Sequence, residues 1–444
     1  MKRNTVFKII ALLVLAFLFV ACTPAATQAP TEPAATEEMA ETEEMAETEE
    51  MAETEEMAET EEPQATGTIK IGAALSETGR YSTVGLDVRQ GYLLWQDYVN
   101  EELGGIDVGG TKYNVELIMY DDESDADTAN RLIEKLISED EVDFILGPYS
   151  SGLTMATSTI SEQHGVIMVE ANGAAETIFD RGYKYVFGVL SPASYYSRAA
   201  VEALADKGAE TLVVAFEDEA FSIAIKDGVL QWAEELGLEV LSVESYPAGN
   251  TDSAIFDPIM TKFKAENPDA YINAGHLNDG IAARASAKSL GFCPGAMFFM
   301  SSANFPAFAE ELGDDAEYAG GSTQWQETMN YDGMYLGTPQ DFFDRYMGRY
   351  NMVPTYQAAE SAAAGFVLQN ALETAGTTET EAVRDALLDM DIMTFYGAIN
   401  FDETGKNVAH AMAAGQILDG NFTIVWPPEA AVADFVYPDP TCSP

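Results

Sequence analysis

Short apolar segments alternate with amphipathic ones along most of this chain. The short segments predict buried strands at 68–75, 113–120, 142–146, 166–169, 211–216, 239–243, 269–274 and 296–300. Between them, apolar residues recur three and four positions apart, which predicts helices. Beyond Tyr318 the pattern predicts helices at 338–350, 356–375 and 379–389, followed by strands near 396–401, 411–418 and 422–425. Strands that alternate with helices are typical of βαβ units, so we predict an α/β protein with two doubly wound parallel sheets.

The N-terminal residues predict export from the cytoplasm. Lys2, Arg3 and Lys8 precede an apolar run at 9–20, which is shorter than the roughly 20 residues that a membrane-spanning helix needs. A basic start, a short apolar segment and small residues are typical of a signal peptide, here residues 1–21. Cys22 follows in a setting that resembles the bacterial lipobox, so we expect a lipid on Cys22. The alternative is a secreted protein that is cut near Ala21.

Residues 22–67 predict a flexible spacer. The sequence Thr-Glu-Glu-Met-Ala-Glu occurs four times, starting at Thr36, Thr42, Thr48 and Thr54, and no Lys or Arg occurs from 23 to 66. A six-residue period places no apolar stripe on a helix, and the dense negative charge repels itself. We expect a disordered acidic segment that spans about 35–40 Å. Such a spacer would tether a folded domain to the cell surface.

Charge and length limit the function classes. The chain has 22 Lys and Arg against 74 Asp and Glu, and a formal net charge of −52. Without the leader and the spacer, 19 basic and 59 acidic side chains remain, a charge near −40. This balance argues against nucleic acid and anionic membrane surfaces as partners. About 378 residues follow the spacer, enough for two domains.

Two cysteines remain if Cys22 carries a lipid. Cys293 and Cys442 are a candidate disulfide in an oxidising environment outside the cell. The alternative is a pair of unbonded thiols.

Several short motifs occur in an order that resembles one known family. They are Ile71–Gly79 with Gly85, Tyr120–Asp122 before Ala129–Asn130, Ile145–Pro148 with Ser150–Ser151, Gly165–Met168, and Gly397 with Phe401–Gly405. Over residues 69–426 the chain resembles the type I periplasmic binding proteins, in the branch that binds leucine, isoleucine and valine or other amino acids and amides. These proteins are the extracytoplasmic receptors of ABC importers.

The resemblance implies a fold and a domain division. It implies two α/β lobes that are joined by a hinge of three crossovers and close on a ligand. Lobe 1 would comprise 68–190 and 322–405, and lobe 2 would comprise 191–321 and 406–440. Cys293 and the C-terminal tail would then share a lobe, which supports the disulfide.

Two loops of lobe 1 are candidates for ligand binding, because open α/β sheets bind ligands at the carboxyl ends of their strands. Ser150 and Ser151 follow a strand and open a helix, whose first N–H groups attract an anion. The resemblance implies that Ser151 binds a ligand carboxylate. The alternative is that one serine only caps the helix, and we expect one cap and one ligand donor.

The second loop contains Asn172, Gly173 and Ala174. The family often has a threonine at Ala174, so Asn172 or the backbone at Gly173 would have to replace its hydroxyl. The alternative for Asn172 and Gly173 is a tight turn, since both residues tolerate positive φ.

Lobe 2 and the edges of the cleft provide further candidates. By resemblance, Asp279 would hold a ligand amino group, although Asn278 or Asp279 could instead cap a helix at 280–290. Phe221 would cover the ligand, or else belong to the core. Tyr81 and Trp325 are additional aromatic candidates.

No enzyme motif emerges. The chain lacks Walker A, GxGxxG and GxSxG patterns, and His164, His276 and His410 lack metal-ligand spacing, so we predict no catalytic residue, metal or cofactor. The predicted function is a lipid-anchored, extracytoplasmic solute-binding protein that delivers a small amino-acid-like or carboxylated ligand to an ABC permease. The alternatives are a receptor of the same fold that signals to a membrane kinase or chemoreceptor, and a secreted hydrolase.

Overall fold

A computed structural model describes residues 65–249 and 252–442. The predicted signal peptide, the lipid site at Cys22 and almost all of the predicted spacer lie outside the described residues. No helix within the described ranges combines the length and the apolar character that crossing a bilayer requires.

The first sheet is mainly parallel and contains the early strands of the fold. These are β1 (Gly67–Leu75), β2 (Ile106–Val108), β3 (Thr111–Asp121), β4 (Phe144–Leu146), β5 (Met168–Glu170) and β6 (Val186–Gly188). Their order is β2-β3-β1-β4-β5-β6, and only the β2–β3 pair is antiparallel. Three helices connect these strands, namely α1 (Ser82–Asp97), α2 (Ala126–Ser138) and α3 (Ser151–His164). Asp125 accepts a hydrogen bond from Thr128 N and caps α2.

The second sheet repeats this architecture. Its parallel strands are β7 (Thr211–Glu217), β8 (Glu239–Tyr246), β9 (Ala270–Ala274), β10 (Ala296–Phe299) and β11 (Ala319–Thr323). Helices α4 (Arg198–Asp206), α5 (Ala220–Leu236), α6 (Phe256–Glu266), α7 (Leu277–Leu290) and α8 (Pro306–Leu312) accompany them.

The rest of the fold follows β11 in sequence. It comprises α9 (Pro339–Tyr350), α10 (Tyr356–Ala375), α11 (Thr380–Leu388), β12 (Asp391–Met393), β13 (Ala398–Asn400), β14 (Ala413–Leu418) and β15 (Asn421–Trp426). β14 and β15 extend the second sheet as antiparallel strands, so its order is β15-β14-β11-β10-β9-β7-β8. α10 instead packs on α1, beside the first sheet.

The chain passes between the two sheets three times: after β6, after β11 and before β14. The three crossovers lie side by side. Ser191 N donates to Gln324 Oε1 at 2.7 Å, and Ser191 Oγ donates to the carbonyl of His410 at 2.7 Å. Asn407 Nδ2 donates to the carbonyl of Val189 at 2.7 Å. The predicted α/β architecture with two doubly wound sheets and three crossovers is therefore confirmed.

Helix α10 is buried along most of its length and is rich in alanine. A helix that is apolar on all sides belongs in a core. Its approach to α1 is close at two glycines: a Cβ on Gly91 would lie 2.3 Å from the carbonyl of Ala358, and one on Gly365 would lie 2.2 Å from the Trp95 ring. The small residues therefore let the two helices approach closely beside the first sheet.

Some predicted element bounds differ from the structure. Between the predicted strands at 68–75 and 113–120, the helix begins at Ser82, and its last turn is a π-helix at Tyr98–Glu102. The sequence pattern also missed β11, because the segment Ala-Gly-Gly-Ser-Thr contains no large apolar side chain.

The structure joins Cys293 and Cys442 in a disulfide, with their Cα atoms 5.4 Å apart. Near it, Asp439 N donates to the carbonyl of Gly295 at 2.8 Å. The C-terminal tail is thereby tied to the segment that precedes β10.

Replacing Cys293 and Cys442 together by serine should lower the free energy of unfolding by about 2–5 kcal/mol, because the bridge closes a long loop in the unfolded chain. Urea unfolding followed by circular dichroism measures the difference. A reducing agent should shift the wild-type midpoint and leave the double variant unchanged. Equal midpoints for wild type and variant without reductant would contradict the expectation.

Candidate ligand-binding site

The loop between β4 and α3 brings a helix N-terminus to the carboxyl edge of the first sheet. Gly147 is required there, since a Cβ would lie 1.7 Å from a carboxylate oxygen of Glu170. The first helical hydrogen bond of α3 runs from Thr154 N to the Ser150 carbonyl at 2.8 Å. The N–H groups before Thr154 lie at the positive end of the helix dipole, which favours a negatively charged or acceptor group.

The two serines of this loop have different surroundings. Ser150 is 2% exposed, and its Oγ makes no hydrogen bond of ordinary geometry among the described residues, although the Tyr81 hydroxyl lies close enough to interact with it. The Oγ of Ser151 accepts a hydrogen bond from Ala175 N at 3.1 Å, which leaves its own O–H group able to donate. Neither hydroxyl makes a capping hydrogen bond to α3. Ser150 occupies the N-cap position of α3, but its side chain makes no capping hydrogen bond, so the expected side-chain cap is absent. The expected ligand donor stays a prediction.

The loop after β5 lies beside these serines. Asn172 Nδ2 donates to Ser361 Oγ at 3.0 Å, while its Oδ1 has no partner among the described residues. Neither Asn172 nor Gly173 has a positive φ, so the tight-turn alternative is wrong. Gly173 is instead required for space, because a Cβ would lie 2.6 Å from Thr154 Oγ1. Ala174 is buried in the core of the first sheet.

Glu170 ends β5 as a fully buried carboxyl. Burial raises its pKa to about 8, although hydrogen bonds from Asn172 N and Thr154 Oγ1 oppose the shift. The carboxyl is therefore mostly protonated at neutral pH. It joins the two loops without adding a full negative charge near the start of α3.

A cavity of about 250 Å³ lies between these loops and the second sheet. Four predicted residues line it: Ser150, Ser151, Asn172 and Phe221. Six lining residues were not predicted, and they are Tyr149, Tyr196, His276, Ser301, Tyr356 and Glu360. We call this space the central cavity.

Phe221 and His276 form the wall that the second sheet contributes. Phe221 lies in the first turn of α5, and its ring centroid is 5.4 Å from that of His276 and 5.2 Å from that of Tyr196. His276 also contacts Tyr149 of the first sheet, at 6.0 Å between ring centroids. Aromatic groups from both sheets thus meet at the central cavity.

The other predicted residues lie elsewhere. Tyr81 and Asp279 line a second cavity of about 420 Å³, which shares Tyr149 and His276 with the central cavity. Asp279 accepts a hydrogen bond from His276 N at 3.0 Å, at the start of α7. Trp325 is 2% exposed, donates to the Phe395 carbonyl at 3.1 Å and lines neither cavity.

An ion network of the buried Glu217 and His276 with the partly exposed Arg80 connects the two sheets next to both cavities. Arg80, in the loop after β1, lies 2.9 Å from Glu217 Oε1 at the end of β7. His276 Nδ1 lies 2.7 Å from Glu217 Oε2, and Gly249 N donates to Oε1 at 2.7 Å. Sequence reasoning missed this network; the one signal was that Glu217 and His276 each follow a buried strand.

The network controls the ionisation of its members. Burial alone would raise the pKa of Glu217, but His276 and Arg80 outweigh it and lower the pKa to about 2. Burial alone would lower the pKa of His276, but Glu217 more than offsets it and raises that pKa. Burial and the charge of Glu217 raise the pKa of Asp279 to about 7. Glu217 is therefore ionised at neutral pH and favours the protonated form of His276, whereas burial and Glu217 disfavour the ionised form of Asp279.

Glu217, His276 and Asp279 each bring one potential metal-ligand atom within 4.8 Å of the others. The guanidinium of Arg80 already occupies Glu217 Oε1, and its positive charge repels a cation at this point. Asp279 Oδ2 is engaged by the backbone. The arrangement is an ion-pair network, and its donor atoms do not fit a metal ion as they stand.

Comparisons with known proteins define the class. Residues 68–421 match the family model described as periplasmic binding protein, and the chain belongs to that family. A Leu/Ile/Val-binding protein homolog 7 from Brucella abortus is 24% identical over 395 residues, which cover 84% of this chain and 95% of the relative.

Solved structures share the fold. The substrate binding protein LivJ from Streptococcus pneumoniae, in complex with isoleucine, has a TM-score of 0.70 and 22% identity, and the match covers 81% of this chain and all of LivJ. A solute binding protein from Rhodopseudomonas palustris, in complex with 3,4-dihydroxy benzoic acid, has a TM-score of 0.68 and 18% identity. The match covers 80% of this chain and 95% of that protein. The two bound ligands differ in chemistry, so the fold does not define the ligand of this chain.

Replacing Glu217 by Gln should change the ionisation of His276. In the wild type, the stabilisation from His276 is complete below its unfolded pKa of about 6.5 and is lost as the pH rises through the raised folded pKa. In the variant, burial and the charge of Arg80 both lower the pKa of His276 and only the weaker effect of Glu219 opposes them, so this pKa should fall below its ordinary value. Nuclear magnetic resonance of the imidazole protons measures this shift. The free energy of unfolding at pH 6 should fall by about 3 kcal/mol.

The matched control is Glu134→Gln, which removes the partner of the exposed His164. That variant should leave the His276 titration and the unfolding free energy unchanged. An unchanged His276 titration in Glu217→Gln would mean that Glu217 does not hold the imidazolium.

Proposed function

We propose that this chain is an extracytoplasmic solute-binding protein that captures a small amino-acid-like or carboxylated ligand and delivers it to an ABC permease. The observation that carries the proposal is the central cavity between the two sheets, where the Ser150 hydroxyl lies beside the start of α3. A carboxylate would accept hydrogen bonds from the two serines and from the first N–H groups of the helix. Relatives whose names describe amino-acid binding support the class of ligand.

The proposed mechanism is a hinge closure. Lobe 1, at 68–190 and 322–405, and lobe 2, at 191–321 and 406–440, would rotate about the three crossovers. Residues from both sheets line the central cavity, so a ligand that contacts both stabilises the closed arrangement. The pair between Arg80 and Glu217 would form on closure and add to that stability.

A ligand screen tests the proposal. The purified protein is heated with single amino acids, amides, urea and aromatic acids, and unfolding is followed by fluorescence. At least one compound should raise the melting temperature by several degrees and be recovered unchanged after long incubation. A screen without any stabilising compound would count against solute capture, and a chemically converted compound would favour an enzyme.

Ser150→Ala and Ser151→Ala should each weaken binding of the compound that the screen identifies. The expected loss is about 1–2 kcal/mol, because each variant removes one hydrogen bond to the ligand. Calorimetric titration measures it. Ser161→Ala is the control, since Ser161 is buried on the same helix but does not line the central cavity. Unchanged affinity in both variants would remove the start of α3 from the binding site.

We further propose that a lipid on Cys22 anchors the protein to the cell membrane, with residues 22–67 as the spacer. In cells that express the full chain, the wild type should sediment with membranes and incorporate labelled fatty acid. Cys22→Ser should do neither, because stable anchoring needs at least two acyl chains or an equivalent second signal. Membrane association of Cys22→Ser at the wild-type level would contradict the anchor.

A further inference from the structure

The walls of the central cavity are unusually polar for a site that would take an aliphatic side chain. Of the side chains that line it, only Phe221 lacks a polar group. The lining contains no Leu, Ile, Val or Met, so a branched aliphatic group would meet hydroxyls, an amide and a carboxyl there. Burying those polar groups against hydrocarbon costs free energy, because they lose water without gaining a partner.

Glu360 is the only carboxyl that lines the central cavity. It lies in the second turn of α10 and is 1% exposed. Both hydrogen bonds that the structure gives it go to Oε2, from Tyr396 OH at 3.1 Å and from Gln324 Nε2 at 3.3 Å. No Lys, Arg or His forms an ion pair with it among the described residues. Oε1 therefore retains its capacity to accept.

Other buried carboxyls near the site already have ion-pair or hydrogen-bond partners within the protein. Glu217 is paired with Arg80 and His276, and Glu170 is bonded to a backbone N–H group and a threonine hydroxyl. Glu360 differs because burial raises its pKa well above the ordinary range and no cation opposes that shift. Burying a carboxyl without a cationic partner on a cavity wall costs free energy unless a ligand supplies a hydrogen-bond donor.

Two further polar atoms of the same cavity lack hydrogen bonds of ordinary geometry. Ser150 Oγ and Asn172 Oδ1 make none among the described residues, although both side chains are buried. Ser150 can donate, whereas Asn172 Oδ1 can only accept. The cavity thus offers a donor at the start of α3 and acceptors at Asn172 and Glu360.

We propose that Glu360 binds an N–H donor group on the side chain of the ligand, an ammonium or an amide, and that the central cavity selects a small polar molecule over one with a branched aliphatic side chain. This inference rests on the proposed function. The acceptor end of the ligand lies at the serines and the start of α3, and its donor end lies at Glu360. A site built to hydrogen-bond a ligand group rejects analogues that lack it, since the buried polar atom is then left unpaired.

The test compares ligands of matched size by calorimetric titration of the full chain. L-asparagine has a terminal amide where L-leucine has two methyl groups. L-2,4-diaminobutyrate has a terminal ammonium where L-norvaline has a methyl group. The wild type should bind the donor-bearing member of at least one pair about 30-fold more tightly or better. The asparagine pair reports a neutral donor, and the diaminobutyrate pair reports a cation.

Two variants connect the preference to Glu360. Glu360→Leu should abolish the preference within the selected pair. Glu360→Gln should reduce binding of diaminobutyrate more than that of asparagine, because an amide oxygen accepts a hydrogen bond but cannot neutralise an ammonium. It also keeps the size of the side chain, which preserves the test if Glu360→Leu fails to fold.

The control is Glu373→Gln on the same helix, whose carboxylate bonds Tyr335 and Gln369 outside the central cavity. It should leave every affinity unchanged. Tighter binding of leucine or norvaline by the wild type, or an unaltered preference in both Glu360 variants, would overturn the inference while leaving solute capture intact. If none of the four probes binds, the inference about Glu360 is also overturned. The proposed function fails as well only if the broad ligand screen finds no stabilising compound.

Discussion

The carboxyl ends of parallel strands determine where chemistry can occur in this protein. In a doubly wound sheet these ends share one edge, and here the two sheets turn those edges toward each other. Tyr149 and Asn172 follow β4 and β5 of the first sheet, while His276 and Ser301 follow β9 and β10 of the second. The strand order thus assembles the central cavity from residues that are far apart in sequence.

The site uses buried carboxyls in two opposite ways. Glu217 is surrounded by Arg80 and His276, so its charge is stabilised and its pKa falls to about 2. Glu360 is buried with hydroxyl and amide hydrogen-bond partners and no cation, and the nearby Glu170 carboxyl adds to the effect of burial, so its charged form is disfavoured and its pKa rises. The first carboxyl stabilises contact between the sheets, whereas the second remains available to a ligand. Burial is similar for both, and the nearby cations account for the difference.

The sequence allows the fold to be predicted further than the site. Alternating apolar strands and amphipathic helices indicate both sheets, and Asp125 marks a helix start. β11 could not be predicted in this way, because it consists of Ala, Gly, Ser and Thr and has no large apolar side chain. Glu360 could not be predicted because a glutamate in an alanine-rich helix looks like a solvent-exposed residue. Only tertiary packing shows that α10 is buried and that this glutamate faces the central cavity.

The acidity of the whole chain bears on the choice of ligand. A formal net charge of −52 attracts cations and repels anions before any contact is made. Salt weakens this effect beyond about 10 Å, so it influences encounter more than the bound state. Within the site, the start of α3 and the His276 and Arg80 side chains that share Glu217 would supply the local positive potential that a carboxylate needs. In the proposed site, the carboxylate of a ligand would contact the start of α3 and its N–H donor would contact Glu360. A plain anion would be repelled by the negative surface charge and would offer Glu360 no N–H group.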